Sequence, residues 1–273
     1  MKLSVSNIAW APDETGAAYA LLQEMGVSGL EVAPGILFAG FEDPMAAGQA
    51  ACDAARAQAA DHGLQFTSMQ SLLFGAEGAA LFETEMARAR LITAMEAVIA
   101  LAGRLGVPNM VFGSPKNRII PGCMDASVAR NIWRTAFRQL GDRAEAAGTI
   151  LALEPNPPAY GANFMVTLAE TLDVVRDVGH PAVRVNLDLG ALLLTGEINR
   201  VDETLAQNVE TIAHVHISAP HLAPVTGSEP AIARLLAGLA RHGYDRWASI
   251  EMRRNLDALP AAIRACRIGD ADQ

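Results

Sequence analysis

The chain has 273 residues, of which 51% are hydrophobic, and a formal net charge of −9 at pH 7. A duplex-binding protein usually presents a basic surface, because phosphate contacts supply much of its affinity, so this charge argues against nucleic acid as a partner. The apolar residues are spread along the chain, and no run approaches the roughly 18 uninterrupted apolar residues of a membrane span. We therefore expect neither a nucleic-acid partner nor a membrane partner.

The N-terminal segment and the cysteines bear on where the protein works. The first ten residues, MKLSVSNIAW, begin as a strand and lack the basic region, apolar core and cleavage site of an export signal. Cys52, Cys123 and Cys266 are widely separated and follow no zinc-binding spacing. These features predict a cytoplasmic protein whose cysteines are reduced thiols.

Short strand-like runs alternate with longer helical stretches from one end of the chain to the other. The predicted strands lie within residues 2–8, 29–34, 64–70, 109–115, 149–156, 183–190, 211–218 and 246–252. A predicted helix follows each strand, within residues 13–26, 44–63, 83–106, 125–148, 167–179, 200–208, 229–243 and 255–266. The pattern is weakest for the helix at 200–208.

Repeated strand–helix units require parallel strands joined by right-handed crossovers. Either a closed eight-stranded barrel or an open doubly wound sheet satisfies this requirement, and the count of eight units favours the barrel. No strand is followed by a GxGxxG or GxxxxGK[ST] loop, which removes the usual support for an open nucleotide-binding sheet. Since no linker divides the chain, the sequence predicts an α/β fold with one domain over residues 1–273, a (β/α)8 TIM barrel.

Four metal-ligand residue types stand at the C-terminal ends of the last four predicted strands. They are Glu154, Asp188, His216 and Glu251, each about one strand–helix unit from the next. Chemistry in such barrels takes place at this end of the strands, so we expect the four side chains to meet there. Three converging carboxylates repel one another unless a cation neutralises them. Three oxygens and one imidazole suit a single divalent ion, Mn²⁺, Mg²⁺, Co²⁺ or Zn²⁺.

The pair His214 and His216 lies two residues apart in the strand TIAHVHIS, so both side chains share one face. His216 is nearer the barrel mouth and is the ligand candidate. His214 falls one layer deeper, beside Asn186 and Ser249, where His214 and Asn186 are expected to support the ligands through hydrogen bonds. The alternative is that both histidines are hydrogen-bonded core residues.

Loops at the same end supply candidate substrate contacts. In FGSPKNR, the cations Lys116 and Arg118, with Ser114 and Asn117, are predicted to hold a phosphate or carboxylate; a solvated loop is the alternative. After Glu154, the segment PNPPAYG offers substrate-binding candidates on a loop stiffened by prolines, and a purely structural loop is the alternative there. The candidates in that segment are Asn156 for a hydroxyl group and Tyr160 as a cover over the pocket.

The early strands contribute further candidates near their C-terminal ends. Trp10 is predicted to cover the apolar face of a sugar ring, and packing is the alternative. Gln70 is predicted to contact the substrate. Glu31 is interpreted either as an acceptor for a substrate hydroxyl or as the partner of a Lys or Arg.

Several of these segments, taken together, resemble a known family. LEVAP, FGSPKNR, LEPNPPAYG, LDLGALLL, HVHIS and SIEM, with the order Glu, Asp, His, Glu on the last four strands, are similar to the xylose-isomerase-like barrels, a group of sugar and sugar-phosphate isomerases and epimerases. The resemblance covers nearly the whole chain and implies that Glu154 and Glu251 both bind metal and move the proton. Ketose epimerases of the family often have a His three residues after the Asp. This chain has Ala191 there, so the resemblance does not carry ketose specificity over.

The sequence therefore predicts an enzyme, a divalent-metal-dependent isomerase or epimerase of a sugar or sugar acid, phosphorylated or not. One of Glu154 and Glu251 would remove a proton α to a carbonyl, the metal would stabilise the enediolate, and the other Glu would return the proton. The expected partner is a small carbohydrate. The sequence does not determine the number of subunits, and a homo-oligomer is one of the possible states.

Three other functions are compatible with parts of the pattern. The same metal and base would serve a dehydratase or a lyase on a sugar derivative, in which proton removal is followed by loss of a leaving group. A metal-dependent nuclease on this barrel would need more histidines and a basic groove, whereas the chain has six histidines and a net charge of −9. A sugar-binding protein without activity would take up no divalent metal.

Overall fold

A computed structural model describes residues 1–267 of the chain. Eight parallel strands close into a barrel in the order in which they occur in the sequence, and the first strand pairs with the last. The strands are β1 Lys2–Ser6, β2 Gly29–Val32, β3 Gln65–Met69, β4 Asn109–Phe112, β5 Ile150–Leu153, β6 Val183–Asp188, β7 Ile212–Ser218 and β8 Trp247–Glu251. The predicted TIM barrel is confirmed; residues 268–273, which the predicted domain includes, lie outside the described residues.

Helices surround the barrel, and each predicted helical stretch contains one. Over the described residues they are α1 Thr15–Glu24, α2 Pro34–Leu37, α3 Gln49–Ala60, α4 Glu85–Leu105, α5 Ala126–Ala146, α6 Leu168–Val178, α7 Leu189–Thr195, α8 Val201–Asn208, α9 Glu229–Arg241 and α10 Leu259–Ala265. None of these helices has both the length and the apolar character needed to cross a membrane. The helices α2 and α7 were not predicted from the sequence pattern.

The helix α7 follows β6 with no intervening loop, because the last strand residue also caps the helix. The Oδ1 atom of Asp188 accepts a hydrogen bond of 2.6 Å from the backbone N–H of Ala191. At the other end the helix is followed by Gly196, whose φ of +76° suits glycine. An acidic cap and a terminal glycine are standard helix signals, so the segment LDLGALLLTG contained the information for this helix.

The barrel interior is filled largely by hydrogen-bonded polar side chains. Contacts between strands that are not neighbours identify them as interior residues: Ser4 of β1 lies 2.8 Å from Thr67 of β3, and Glu31 of β2 lies 3.0 Å from His216 of β7. Bulky branched apolar residues usually fill this space in TIM barrels. Here the buried apolar strand residues alternate with the polar ones, as Val5 does beside Ser4, and pack in the core shared with the helices.

Candidate metal centre

The last four strands bring three carboxylates and one imidazole together at the C-terminal mouth of the barrel. The ligand-type atoms of Glu154, Asp188 and His216 all lie within 4.8 Å of one another. Glu251 joins them through its Oε2 atom, which is 3.3 Å from Nδ1 of His216. All four residues are buried. The strand register explains the meeting, since Asp188 stands opposite His216 between β6 and β7.

The two ring nitrogens of His216 have different surroundings. Nε2 lies 3.0 Å from Oε2 of Glu31 and is hydrogen-bonded to it. Nδ1 lies 3.0 Å from Oε1 of Glu154 and close to Glu251, yet it has no hydrogen-bond partner because neither oxygen is aligned for a hydrogen bond. A ring nitrogen that faces carboxylates without bonding to them is the arrangement expected of ligands that share a cation.

A second group of possible ligands lies deeper in the barrel, where Glu31, His214 and His216 approach within 4.8 Å of one another. Hydrogen bonds account for this group: Glu31 accepts from His216, and Nε2 of Gln70 donates to its other oxygen at 3.0 Å. His214 lies 2.8 Å from Oγ of Ser249 through its Nε2 atom. Glu31 is therefore paired with histidines, and neither earlier interpretation, a hydroxyl acceptor or a Lys/Arg partner, describes it.

Two of the three carboxylates at the mouth, those of Glu154 and Asp188, accept hydrogen bonds from polar neighbours. Asn186 donates to Oε1 of Glu154 at 2.8 Å, and Asn156 donates to Oε2 of the same residue at 3.1 Å. Asp188 accepts from the hydroxyl of Ser218 as well as from the backbone of α7. Asn186 was predicted to lie near the ligands, whereas the contact of Ser218 was not predicted from the sequence.

Burial and the charges of neighbouring groups shift the pKa values of the residues in the cluster. Burial, followed by the charges of Glu154 and Glu251, raises the pKa of Asp188 to about 7. Burial also raises the pKa of Glu251. Burial lowers the pKa of His216, but the carboxylates of Glu31, Glu251 and Glu154 outweigh it and hold the pKa well above its usual range. The cluster thus carries excess negative charge that favours a bound proton or a bound cation.

A pocket of about 260 Å³ opens directly above these groups. Its lining combines the three acids with residues from four loops: Pro115, Glu154, Asn156, Tyr160, Asp188, Ser218, His221, Leu222, Glu251 and Arg253. Asn156 and Tyr160 were predicted from the sequence. His221 and Arg253 were not, because nothing in the local pattern shows which way loop side chains turn. The pocket gives a small molecule access to the candidate metal centre.

The profile of the Xylose isomerase-like TIM barrel family matches residues 19–268. The chain belongs to this family. No curated protein sequence matches the chain.

Solved structures similar to this xylose isomerase-like barrel share its fold at low identity. One is the apo form of 3-keto-D-glucoside 4-epimerase, YcjR, from E. coli, with a TM-score of 0.76 and 18% identity over 97% of each chain. Another is L-ribulose 3-epimerase, with a TM-score of 0.75 and 19% identity over 98% of this chain and 93% of that chain. A third is the IOLI protein with a binding zinc atom, with a TM-score of 0.69 and 16% identity over 100% and 97%.

Within this xylose isomerase-like barrel, the loop predicted to bind an anion is used in another way. Arg118 is fully buried, and one nitrogen donates to the backbone oxygen of Glu154 and to Oδ1 of Asn156, each at 2.8 Å. The amide of Asn117 donates to a backbone carbonyl at 2.6 Å, and Lys116 is exposed outside the pocket lining. The guanidinium therefore fixes the turn that carries Glu154 instead of facing the pocket.

Two other predicted substrate contacts lie inside the protein. Trp10 is 1% exposed and packs edge-on against Tyr19, with 6.3 Å between ring centroids. Gln70 is buried and donates to Ser6 at 2.7 Å and to Glu31. Neither Trp10 nor Gln70 lines the pocket, so Trp10 matches the packing alternative and Gln70 belongs to the network behind His216.

Proposed function

We propose that the protein is a divalent-metal-dependent isomerase or epimerase of sugars or sugar acids. The observation that carries the proposal is the bare Nδ1 of His216, which faces Glu154 and Glu251 beside Asp188 at the floor of an open pocket. The similar structures named as sugar epimerases, and the one with a zinc atom, support the same class of chemistry.

Glu154, Asp188, His216 and Glu251 would hold one divalent ion. Three carboxylate oxygens and one imidazole fit Mn²⁺, Mg²⁺, Co²⁺ or Zn²⁺. A divalent ion would neutralise the excess negative charge of the three carboxylates. When bound, the ion would polarise the carbonyl and hydroxyl oxygens of the substrate. Glu31 would fix the orientation of His216 by accepting from Nε2, so that Nδ1 stays turned towards the pocket.

Glu154 and Glu251 would serve as the acid/base pair. Glu154 directly follows β5 and Glu251 ends β8; each approaches His216, and each lines the pocket. One would take the proton from the carbon next to the carbonyl, and the other would return a proton. Return on the opposite face inverts that carbon, whereas return to the neighbouring carbon gives an isomer.

Metal analysis and turnover in heavy water test this function together. The purified protein is expected to contain close to one divalent ion per chain, and to place deuterium on the carbon next to the carbonyl group of a sugar or sugar acid. The product should otherwise keep the formula of the substrate. Loss of water or of an aglycone would instead identify a dehydratase or lyase. A protein that takes up no divalent metal and exchanges no proton would contradict the proposal and favour a sugar-binding role.

Replacing Glu31 by Gln tests the support behind His216. The substitution keeps the size of the side chain and removes the charge that accepts from Nε2, so the ring becomes a poorer ligand. We expect the affinity for Mn²⁺ to fall roughly ten-fold to a hundred-fold, as is usual for such partners of metal ligands. Titration of metal-free protein measures this change, and the exposed Glu24→Gln is the matched control. Unchanged affinity in the Glu31 variant would contradict the role.

Gly113, just after β4, leaves space for Glu154. A Cβ atom at position 113 would lie 2.5 Å from Oε2 of Glu154, so Gly113→Ala should push the carboxylate aside. Because the displaced carboxylate is buried and bonded to Asn156 and Asn186, we expect the free energy of unfolding to fall by about 1–3 kcal/mol. Metal affinity should fall by about ten-fold or more. Gly122→Ala in the same loop meets no atom within 4 Å and should change neither quantity.

A further inference from the structure

Three loops meet on one side of the pocket mouth, and we call this group, Tyr160, His221 and Arg253, the pocket rim. The backbone N–H of His221 donates to the hydroxyl of Tyr160 at 2.9 Å, and the two rings stack edge to face with centroids 5.5 Å apart. The backbone N–H of Arg253 donates to the carbonyl of Leu222 at 2.8 Å. The loops after β5, β7 and β8 are thus joined to one another.

The backbone at His221 and Leu222 adopts a conformation that these residues rarely take. Their φ angles are +59° and +57°, in the left-handed region. The bonds to Tyr160 and to the backbone of Arg253 hold the segment there. The result is that His221 lies against Tyr160 and contributes to the lining of the pocket.

Arg253 is the one Lys or Arg among the residues that line this pocket. Its side chain is exposed and makes no ion pair or side-chain hydrogen bond with the residues that the structure describes. All acids of the lining, Glu154, Asp188 and Glu251, belong to the candidate metal centre at the floor. The rim therefore presents a guanidinium, an imidazole and a phenol, and no carboxylate.

We propose that the pocket rim binds an anionic group, a carboxylate or a phosphate, of a substrate whose carbonyl end lies at the metal centre. This inference rests on the proposed function and narrows its substrates to acidic sugars. A guanidinium presents parallel N–H donors that match two oxygens of such a group. The tyrosine hydroxyl, which accepts from His221, keeps its own proton to donate. Arg118, which the sequence predicts for this purpose, is fully buried, is bonded through one nitrogen to Glu154 and Asn156, and does not line the pocket.

Arg254 provides a matched control. It follows Arg253 directly, but it lines a different depression, together with Asp13, Glu14 and Asp257. An arginine-to-glutamine change at either position removes one positive charge from the same strand end. Only the change at Arg253 removes it from the pocket of the metal centre.

Ligand binding to the protein in the presence of Mn²⁺ tests the proposal, with D-fructose, D-fructose 6-phosphate and D-glucuronate as probes in isothermal titration. The wild-type protein should bind at least one acidic probe more tightly than D-fructose. The probe that binds more tightly shows whether the rim prefers a phosphate or a carboxylate. Arg253→Gln should lower the affinity for that acidic probe roughly ten-fold to a hundred-fold and leave the affinity for D-fructose unchanged. Arg253→Lys should recover part of the loss, and Arg254→Gln should behave as the wild type.

The inference is overturned if the wild-type protein does not prefer either acidic probe over D-fructose, or if Arg254→Gln weakens the acidic probe as much as Arg253→Gln does. These outcomes differ from failure of the proposed function. That function fails when neither neutral nor acidic sugars acquire deuterium from solvent, whatever the affinities. The rim inference fails when neutral sugars are bound as well as acidic ones, even if they are turned over.

Discussion

Replacing Glu154 or Glu251 by Gln is expected to lower turnover by roughly a hundred-fold to ten-thousand-fold, the range that general acid–base catalysis contributes. The amide keeps the size of the side chain and an oxygen for the metal, but it cannot take up the proton. Glu154 follows β5 and Glu251 ends β8 of a closed barrel, and a glutamine has the same shape as the glutamate that it replaces, so we expect the fold to remain. Metal content of each variant must be measured alongside turnover to separate proton transfer from ligand loss.

Exchange with heavy water distinguishes the two carboxylates. If each Glu serves one face of the substrate, each variant retains the base for one epimer. Glu154→Gln should then still exchange the α-proton of one epimer with solvent, and Glu251→Gln that of the other, although neither completes the conversion at a normal rate. The exposed Glu77→Gln is a control for loss of charge. Full activity in both metal-loaded variants would exclude the acid/base assignment.

Removing Asp188 or His216 should abolish tight metal binding. A lost ligand should reduce affinity by more than the ten-fold to hundred-fold change caused by partners of ligands. Asp188→Asn is the cleaner substitution, because the amide oxygen can still cap α7 through the N–H of Ala191. His216→Ala additionally leaves the buried Glu31 without one of its donors, so a loss of stability should accompany the loss of metal.

The measurement is elemental analysis of purified variants, supported by thermal unfolding with and without added Mn²⁺. A ligand that binds only the folded protein raises the melting temperature, so the wild type should be stabilised and Asp188→Asn should respond weakly or not at all. Exposed Asp61→Asn serves as the control. Stoichiometric metal in Asp188→Asn and His216→Ala would contradict the proposed ligand set.

The barrel could be predicted from the sequence because strand–helix alternation is a local pattern repeated eight times. The convergence of Glu154, Asp188, His216 and Glu251 followed from their common position at strand ends. The pairing of Glu31 with His216 could not be predicted in this way. These residues are 185 positions apart and meet across the barrel, a contact that depends on closure and on the stagger between strands.

Loop side chains were the least predictable part of the site. Arg118 and Arg253 are both arginines in loops at the same end of the barrel, yet one is buried under Glu154 and the other lines the pocket. Which of the two faces the substrate depends on the path of the backbone and on the bonds between loops. The left-handed conformation at His221 and Leu222 could not be predicted, because neither residue is a glycine.

The polar filling of the barrel interior has a consequence for how the mouth is adjusted. Packing of apolar side chains depends mainly on their volume. The hydroxyl of Ser249, the ring of His214 and the carboxylate of Glu31 are instead held by polar contacts, which depend on orientation. Loss of the hydroxyl at Ser249 would remove the hydrogen-bond partner of His214, whose ring lies 3.3 Å from the Glu31 carboxylate that holds His216. Interior residues one layer below the metal centre, which no sugar contacts, would thereby affect its chemistry. Natural selection or protein design could change the reaction through substitutions in that layer.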